Sequence, residues 1–412
     1  MGSRALIPFL VAMMLLTGVC NTLLTKYQDM QCVANCDSKD PSKRLYFNQP
    51  VLQTAQMFVG EMGCWLVVGL MALYRRFVSG ASPTSDGYEA VNTNDADEAN
   101  TALINNSGGV PKPYGEEGNG SILRGPRILL LALPAICDIL GTTLMNIGLL
   151  LVVASIYQMT RGALVLFVGL FSVIFLHRRL FLFQWLSLGG VVFGVAIVGL
   201  AGAIYHEDKT KVEVIDNDAS PASNALLSVI GVLLIAGAQI FTATQFVLEE
   251  WILERSAIEP IRVVGWEGLF GFVVTVISMI VLHLAIGRTD AGRYGYFDMA
   301  EGWRQLTNNR AIGISSILIM ISIGGFNFFG LSVTRSVSAT SRSTIDTCRT
   351  LFIWIVSLGL RWETFKWLQV LGFALLVYFT FLFNGIVQPP FQFLVPDEEV
   401  EELLPEEPIE HQ

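Results

Sequence analysis

Ten stretches of apolar residues divide this chain, and they leave it few ways to fold. They begin at Ala5, Val51, Ile128, Val152, Phe181, Ala225, Val263, Ala311, Val337 and Thr364. Each approaches the roughly 20 residues a helix needs to cross a bilayer. None alternates apolar and polar residues with period two, so the strand pattern of a membrane barrel is missing, and a helix is the other structure that satisfies its own backbone in lipid. The expected fold is therefore an all-α polytopic membrane protein with about ten transmembrane helices. Charged residues make up 15% of the chain against roughly 25% in soluble proteins, which supports that class. The first run carries Asn21 and Thr22 in its C-terminal part and no clear small-residue cleavage site before Lys26, so it reads as a retained helix.

Against that background the residues from Ala154 to Leu186, ASIYQMTRGALVLFVGLFSVIFLHRRLFLFQWL, hold one arginine, Arg161, in an apolar run and close on His177, Arg178 and Arg179. An arginine at the centre of a membrane helix costs at least about 2.5 kcal/mol on insertion scales, so it must snorkel, pair or face a wet cavity. The stretch from Ala339 to Leu368 echoes it, with a small polar start, Arg342 and Arg349, and a closing tryptophan. Other features recur too: Glu61 near the middle of the second run and Glu267 in the seventh, Asn146 in the third and Asn327 in the eighth. The chain thus reads as two five-helix units, residues 1–205 and 225–387, joined by a loop over 206–224 and followed by an acidic tail over 388–412. Five is odd, so tandem units insert with opposite orientation, the inverted repeat of secondary transporters whose substrate site lies between the halves near the midplane. Residues 79–127, rich in Ser, Gly, Asn, Asp and Pro, read as a disordered loop.

The candidate substrate or coupling residues are the polar side chains inside the spans. Glu61 and Glu267 stand at equivalent repeat positions, suited to bind a cation or carry a proton, or else to cap and pair structurally. Asp138 heads a polar stripe through Thr142, Thr143 and Asn146, which lines a pathway or glues helices together. Tyr157, Gln158 and Arg161 in the first half, and Arg342 and Arg349 in the second, suit an anionic group. Asp346 and Arg349 share a helix face as a neutralised pair. Arg161 has no acid three or four residues away, so Glu61 or Asp138 is its expected partner. Asn327 completes the set.

The four histidines and six cysteines never cluster with carboxylates at ligand spacing, so neither metal nor cofactor is expected. Cys32 and Cys36 share a loop; they would form a disulfide if it is lumenal and stay reduced if it is cytosolic. In the first half, Arg4, Arg75, Arg76, Lys112, Arg124, Arg127, Arg178 and Arg179 fall on one side against Lys26, Lys39, Lys43 and Arg44 on the other. Early spans usually set orientation, so both termini are expected in the cytosol and the sequons at Asn105 and Asn119 unused. In the tail, Glu399, Glu401 and Glu402 precede Leu403 and Leu404, an acidic dileucine pattern that sorting adaptors read on the way to lysosomes or vacuoles, or else an ordinary acidic tail.

The run SIYQMTRGALVLFVGLFSVIFLHRRL, the later TLFIWIVSLGLRWETFKWLQVLGF, the LEE at Leu248 to Glu250 and the GWEGLFGF around Glu267 resemble solute carrier family 35, particularly its F branch. That family lies in the EamA-like drug/metabolite transporter superfamily, with nucleotide-sugar and chloroquine-resistance-type transporters as relatives. The resemblance implies a ten-helix carrier with a central cavity lined by helices one to four and six to nine, and dimer contacts through helices five and ten. Its substrate does not transfer. The expected function is secondary transport of a small organic solute across an endomembrane, vacuolar or lysosomal with the Golgi as an option, by alternating access and with protons as a coupling ion. The alternative is a scaffold or receptor that keeps the carrier fold. No GxGD-type aspartyl pair, HExxH motif or serine beside a histidine points to an enzyme, and nucleic acid is not an expected partner.

Overall fold

The computed structural model describes residues 3–36, 44–78, 125–152, 157, 160–204, 221–256, 258–289, 295, 297–362, 365 and 367–389. Gln158, both sequons, the dileucine pattern, nearly all of the 79–127 loop and most of the 206–224 loop and the tail lie outside them. The described chain contains eleven α-helices: α1 (Ser3–Asp29), α2 (Pro50–Val78), α3 (Ala132–Leu151, entered through a 3-10 turn at Gly125–Leu131), α4 (Leu164–Leu176), α5 (Leu182–Ile204), α6 (Pro221–Arg255), α7 (Pro260–Leu282, extended by a π turn), α8 (Met299–Asn308), α9 (Arg310–Ser336), α10 (Ala339–Gly359) and α11 (Trp367–Phe383). Six of them, α1, α2, α3, α6, α7 and α9, are long and apolar enough to cross a membrane, and α4, α5 and α11 are shorter apolar helices. A two-stranded hairpin, β1 (Cys32–Ala34) and β2 (Leu45–Tyr46), follows α1. Its neighbour Phe47 is buried against Ile312 at the start of α9, and Cys32 is disulfide-bonded to Cys36.

Burial is inverted relative to a soluble protein. Leu66, Phe77 and Ile321 are 65%, 78% and 68% exposed, whereas Glu249 and Arg342 are 1% and 2% exposed. Apolar side chains lie outside because lipid is their solvent, and charge is sequestered where it finds partners.

The helix pairing is that of two related halves. The most extensive packing is α5 on α11, α3 on α6, α1 on α9 and α2 on α7, with α4 on α10 as a smaller pair. Exchanging α1–α5 with α6, α7, α9, α10 and α11 converts α1·α9 into α6·α3 and returns each of the other pairs to itself. That is what a two-fold relation requires; α8 is the addition. Since apolar burial gives helices little reason to associate in lipid, small residues that admit close backbone contact carry these interfaces. A Cβ on Gly194 would lie 3.0 Å from the carbonyl of Gly372, and one on Gly148 3.0 Å from the carbonyl of Gly231. On the outer face of α5, Gly189 would meet nothing within 4 Å.

Three boundaries differ from the sequence expectation. Helix four is not one unbroken run from Val152: Thr160 and Arg161 are helical, a turn with an Ala163 N to Thr160 O bond of 3.2 Å follows, and the helix resumes at Leu164. The sixth span, expected to run from Ala225 to about Leu248 with Glu249 and Glu250 at its end, continues to Arg255, so both acids are interior residues. The presumed loop before Arg310 contains α8, capped by the Asp298 carboxylate, which accepts from Glu301 N.

Gly194→Val should lower the unfolding midpoint of the purified protein, by an overpacking cost of about 1–3 kcal/mol. Gly189→Val should leave the midpoint within error, because its side chain enters lipid.

Candidate functional site

Helix α10 brings an arginine into its own first turn, where the exposed amides already make the environment positive. Two consecutive acids on α6 resolve that conflict. Glu250 Oε2 accepts from Ala339 N at 3.0 Å, and Glu249 Oε2 pairs with Arg342 Nη1. The guanidinium carbon of Arg342 also lies 4.2 Å from the centroid of Phe246, one turn back on α6. Gln245 Nε2 donates to the other Glu249 oxygen at 3.0 Å. Gly330 on α9 leaves the room: a Cβ there would stand 2.9 Å from Arg342 Nε.

Beside this pair is a central cavity lined by Phe58 and Glu61 of α2, Ala135 and Asp138 of α3, Gln245 and Glu249 of α6, Glu267 of α7, Asn327 and Leu331 of α9, and Arg342 of α10. Glu61 accepts from Asn327 Nδ2 at 2.6 Å. Its helix reaches this depth because Gly60 abuts the backbone of Met320, and because a Cβ on Gly268 would lie 2.7 Å from that of Glu61. Glu267 is 7% exposed, and its Oε1 has no hydrogen-bond partner. The Asp138 carbonyl accepts from Thr142 Oγ1 at 2.8 Å, leaving the carboxyl at the cavity wall. Four carboxylates thus face one arginine, and that arginine is already paired.

Five of the sequence candidates meet here: Glu61, Asp138, Glu267, Asn327 and Arg342. The others lie elsewhere. Asn146 is exposed on α3, so α3 contributes Asp138 where α9 contributes Asn327. Tyr157 donates to Met145 Sδ at 3.3 Å. Arg349 pairs with Asp346 at 3.2 Å, stacks 4.7 Å over Phe326, and would be struck by a Cβ on Gly18 of α1. Arg161 lies within electrostatic reach of Arg349 and, among the described residues, forms no ion pair with Glu61 or Asp138. The arginine beside those acids is Arg342. Sequence reasoning missed Glu249 because an acid pair at the end of an apolar run looks like a helix terminus; the signal was the aromatic Phe246 one turn earlier.

The basic cluster after α4 serves a different end of the molecule. His177 adopts a left-handed conformation at φ 54°, and Arg178 N bonds back to Ser172 O at 3.2 Å. The turn aims Arg178 at Glu250, 3.2 Å away, and at Glu254.

A sequence profile of the family described as nucleotide-sugar transporter matches residues 119–328. An uncharacterised protein of Schizosaccharomyces pombe is 37% identical, over 92% of this chain and 97% of that one. Solute carrier family 35 member F6 of Homo sapiens is 35% identical, over 92% of this chain and 89% of its own length, and the Mus musculus protein of the same name is 34% identical, over 94% and 90%.

Removing one member of a buried ion pair strands the other, typically at a cost of 3–5 kcal/mol. Arg342→Met and Glu249→Met should each lower the unfolding midpoint accordingly, and the double variant should recover more than half of the loss in a thermal or denaturant titration.

Proposed function

The chain belongs to solute carrier family 35, within the nucleotide-sugar transporter family, and from that premise we propose that it moves a small organic solute through the central cavity by alternating access. The observation that carries this reading is the composition of the cavity wall. Glu61 and Asp138 come from the first five helices, and Glu249, Glu267, Asn327 and Arg342 from the second, so a change in the angle between the halves would alter every side of the cavity at once.

Polar clamps stand at both ends of the pathway. At one end Gln28 of α1 donates to Ser316 of α9 at 2.7 Å and accepts from Gln53 and Gln56 of α2 at 3.2 and 3.3 Å. At the other, Arg178 of the first half holds Glu250 and Glu254 of the second, and within the second half Arg335 donates to the Ile258 carbonyl at 2.8 Å. Helix α9 spans both, with Asn327 between: about 16 Å from Ser316 and about 12 Å from Arg335 at 1.5 Å per residue. Opening either clamp while keeping the other is the minimal requirement of alternating access.

The two halves, bounded near residues 205 and 225, are the moving parts in this proposal. The disulfide between Cys32 and Cys36 suits an oxidising compartment. It supports a lumenal position for the α1–α2 loop, hence cytosolic termini and residence in an endomembrane. Glu61, held by the Asn327 amide and facing Asp138, Glu249, Glu267 and Arg342 across the cavity, is the residue we assign to proton coupling.

The test is reconstitution into liposomes with a panel of nucleotide sugars, amino acids, thiamine-like cations and short peptides. Uptake of one class should respond to an imposed pH gradient and fall at least about tenfold in Glu61→Gln, with unchanged incorporation. Equal pH-driven uptake by Glu61→Gln removes it from coupling. Absence of flux for the whole panel by well-folded protein overturns the carrier reading in favour of a scaffold.

A further inference from the structure

The cavity wall bears on which class of solute it accepts. Of its four carboxylates, Glu249 has both oxygens partnered, by Arg342 and Gln245, while Glu61 accepts one hydrogen bond from the side-chain amide of Asn327. Glu267 presents an oxygen with no partner although its side chain is over nine-tenths buried. A buried, unpaired charge is expensive, and an ion of opposite sign set against it offsets much of that cost. Phe58 adds an aromatic wall, 2% exposed and tight against Gly271, and aromatic faces attract cations. A nucleoside diphosphate would meet the reverse situation. Its charges would face Glu61, Asp138 and Glu267, and Arg342, the cation in the lining, has its charge paired with Glu249 and keeps one buried N–H, on Nε, without a partner.

We propose that the cavity binds an organic cation, a quaternary ammonium, amine or guanidine, with its charged nitrogen held among Glu61, Asp138 and Glu267 against Phe58. This assignment rests on the carrier reading and narrows it, and it sets this chain apart from a carrier of anionic nucleotide sugars. Glu267 supplies the unsatisfied oxygen, Asn327 orients Glu61, and the Arg342–Glu249 pair walls off one side without competing for the ligand.

Binding is measured on the full chain in lipid nanodiscs by thermal stabilisation. The probes are choline and benzyltrimethylammonium, the uncharged choline isostere 3,3-dimethylbutanol, and uridine diphosphate glucose. The cations should stabilise the protein, the isostere and the nucleotide sugar should not, and Glu267→Gln should weaken cation binding at least about tenfold. Glu267→Asp should retain most of the binding. If Glu267→Gln does not fold, Asp138→Asn should show the same loss. Stabilisation by the nucleotide sugar, equal stabilisation by the uncharged isostere, or none by either cation overturns the assignment. Each of those results leaves alternating access standing, because that reading falls only when no solute crosses the reconstituted membrane.

Discussion

The contact between the Glu249–Glu250 pair of α6 and the N-terminus of α10 holds this molecule in register. An arginine in the first turn of a helix works against the local backbone dipoles, and in a membrane interior water cannot relieve the conflict. Glu250 answers the exposed amide of Ala339, and Glu249 answers Arg342. Breaking either leaves charge or a donor stranded in low dielectric, which costs more than the intact pair contributes. Glu250 also reaches Arg178 after α4, so α4, α6 and α10 are tied at one end of the bundle.

Around it, the architecture depends on what the helices lack. Lipid removes most of the drive for apolar faces to meet, so contact is concentrated where no side chain intervenes: Gly148 with Gly231, Gly194 with Gly372, Gly60 with Gly324. Each of these joins helices of opposite halves. The halves are thus interleaved at their backbones while polar groups converge between them. The glycine contacts bind helices across the two halves, and the polar centre draws its walls from both.

Much of this was legible in the linear chain, for identifiable reasons. Apolar runs of bilayer length announce helices, and the repetition of Glu61 as Glu267 survives because both acids face one cavity across a two-fold relation. Asp138 and Asn327 were legible as polar residues in spans. Asn146 shows the limit: its sequence match to Asn327 is good, yet its side chain is exposed, because a helix rotates 100° per residue and a small drift in register exchanges inside for outside. Arg161 stood out for the same reason as Arg342, an expensive charge in an apolar run, but it lies within electrostatic reach of Arg349 and outside the cavity lining.

The chain alone therefore determined the class of molecule and most of the polar residues that line the cavity, though not the number of long helices, since ten spans were expected and six such helices stand among the described residues. These follow from periodicity and length, which each segment carries by itself. Which arginine meets which acid, that Glu249 is interior rather than terminal, and that Glu267 keeps an oxygen without a partner were decided by tertiary structure alone. Electrostatic partnership in a bundle is set by helix rotation and depth, and those are fixed by glycine contacts between segments up to roughly 300 residues apart in sequence.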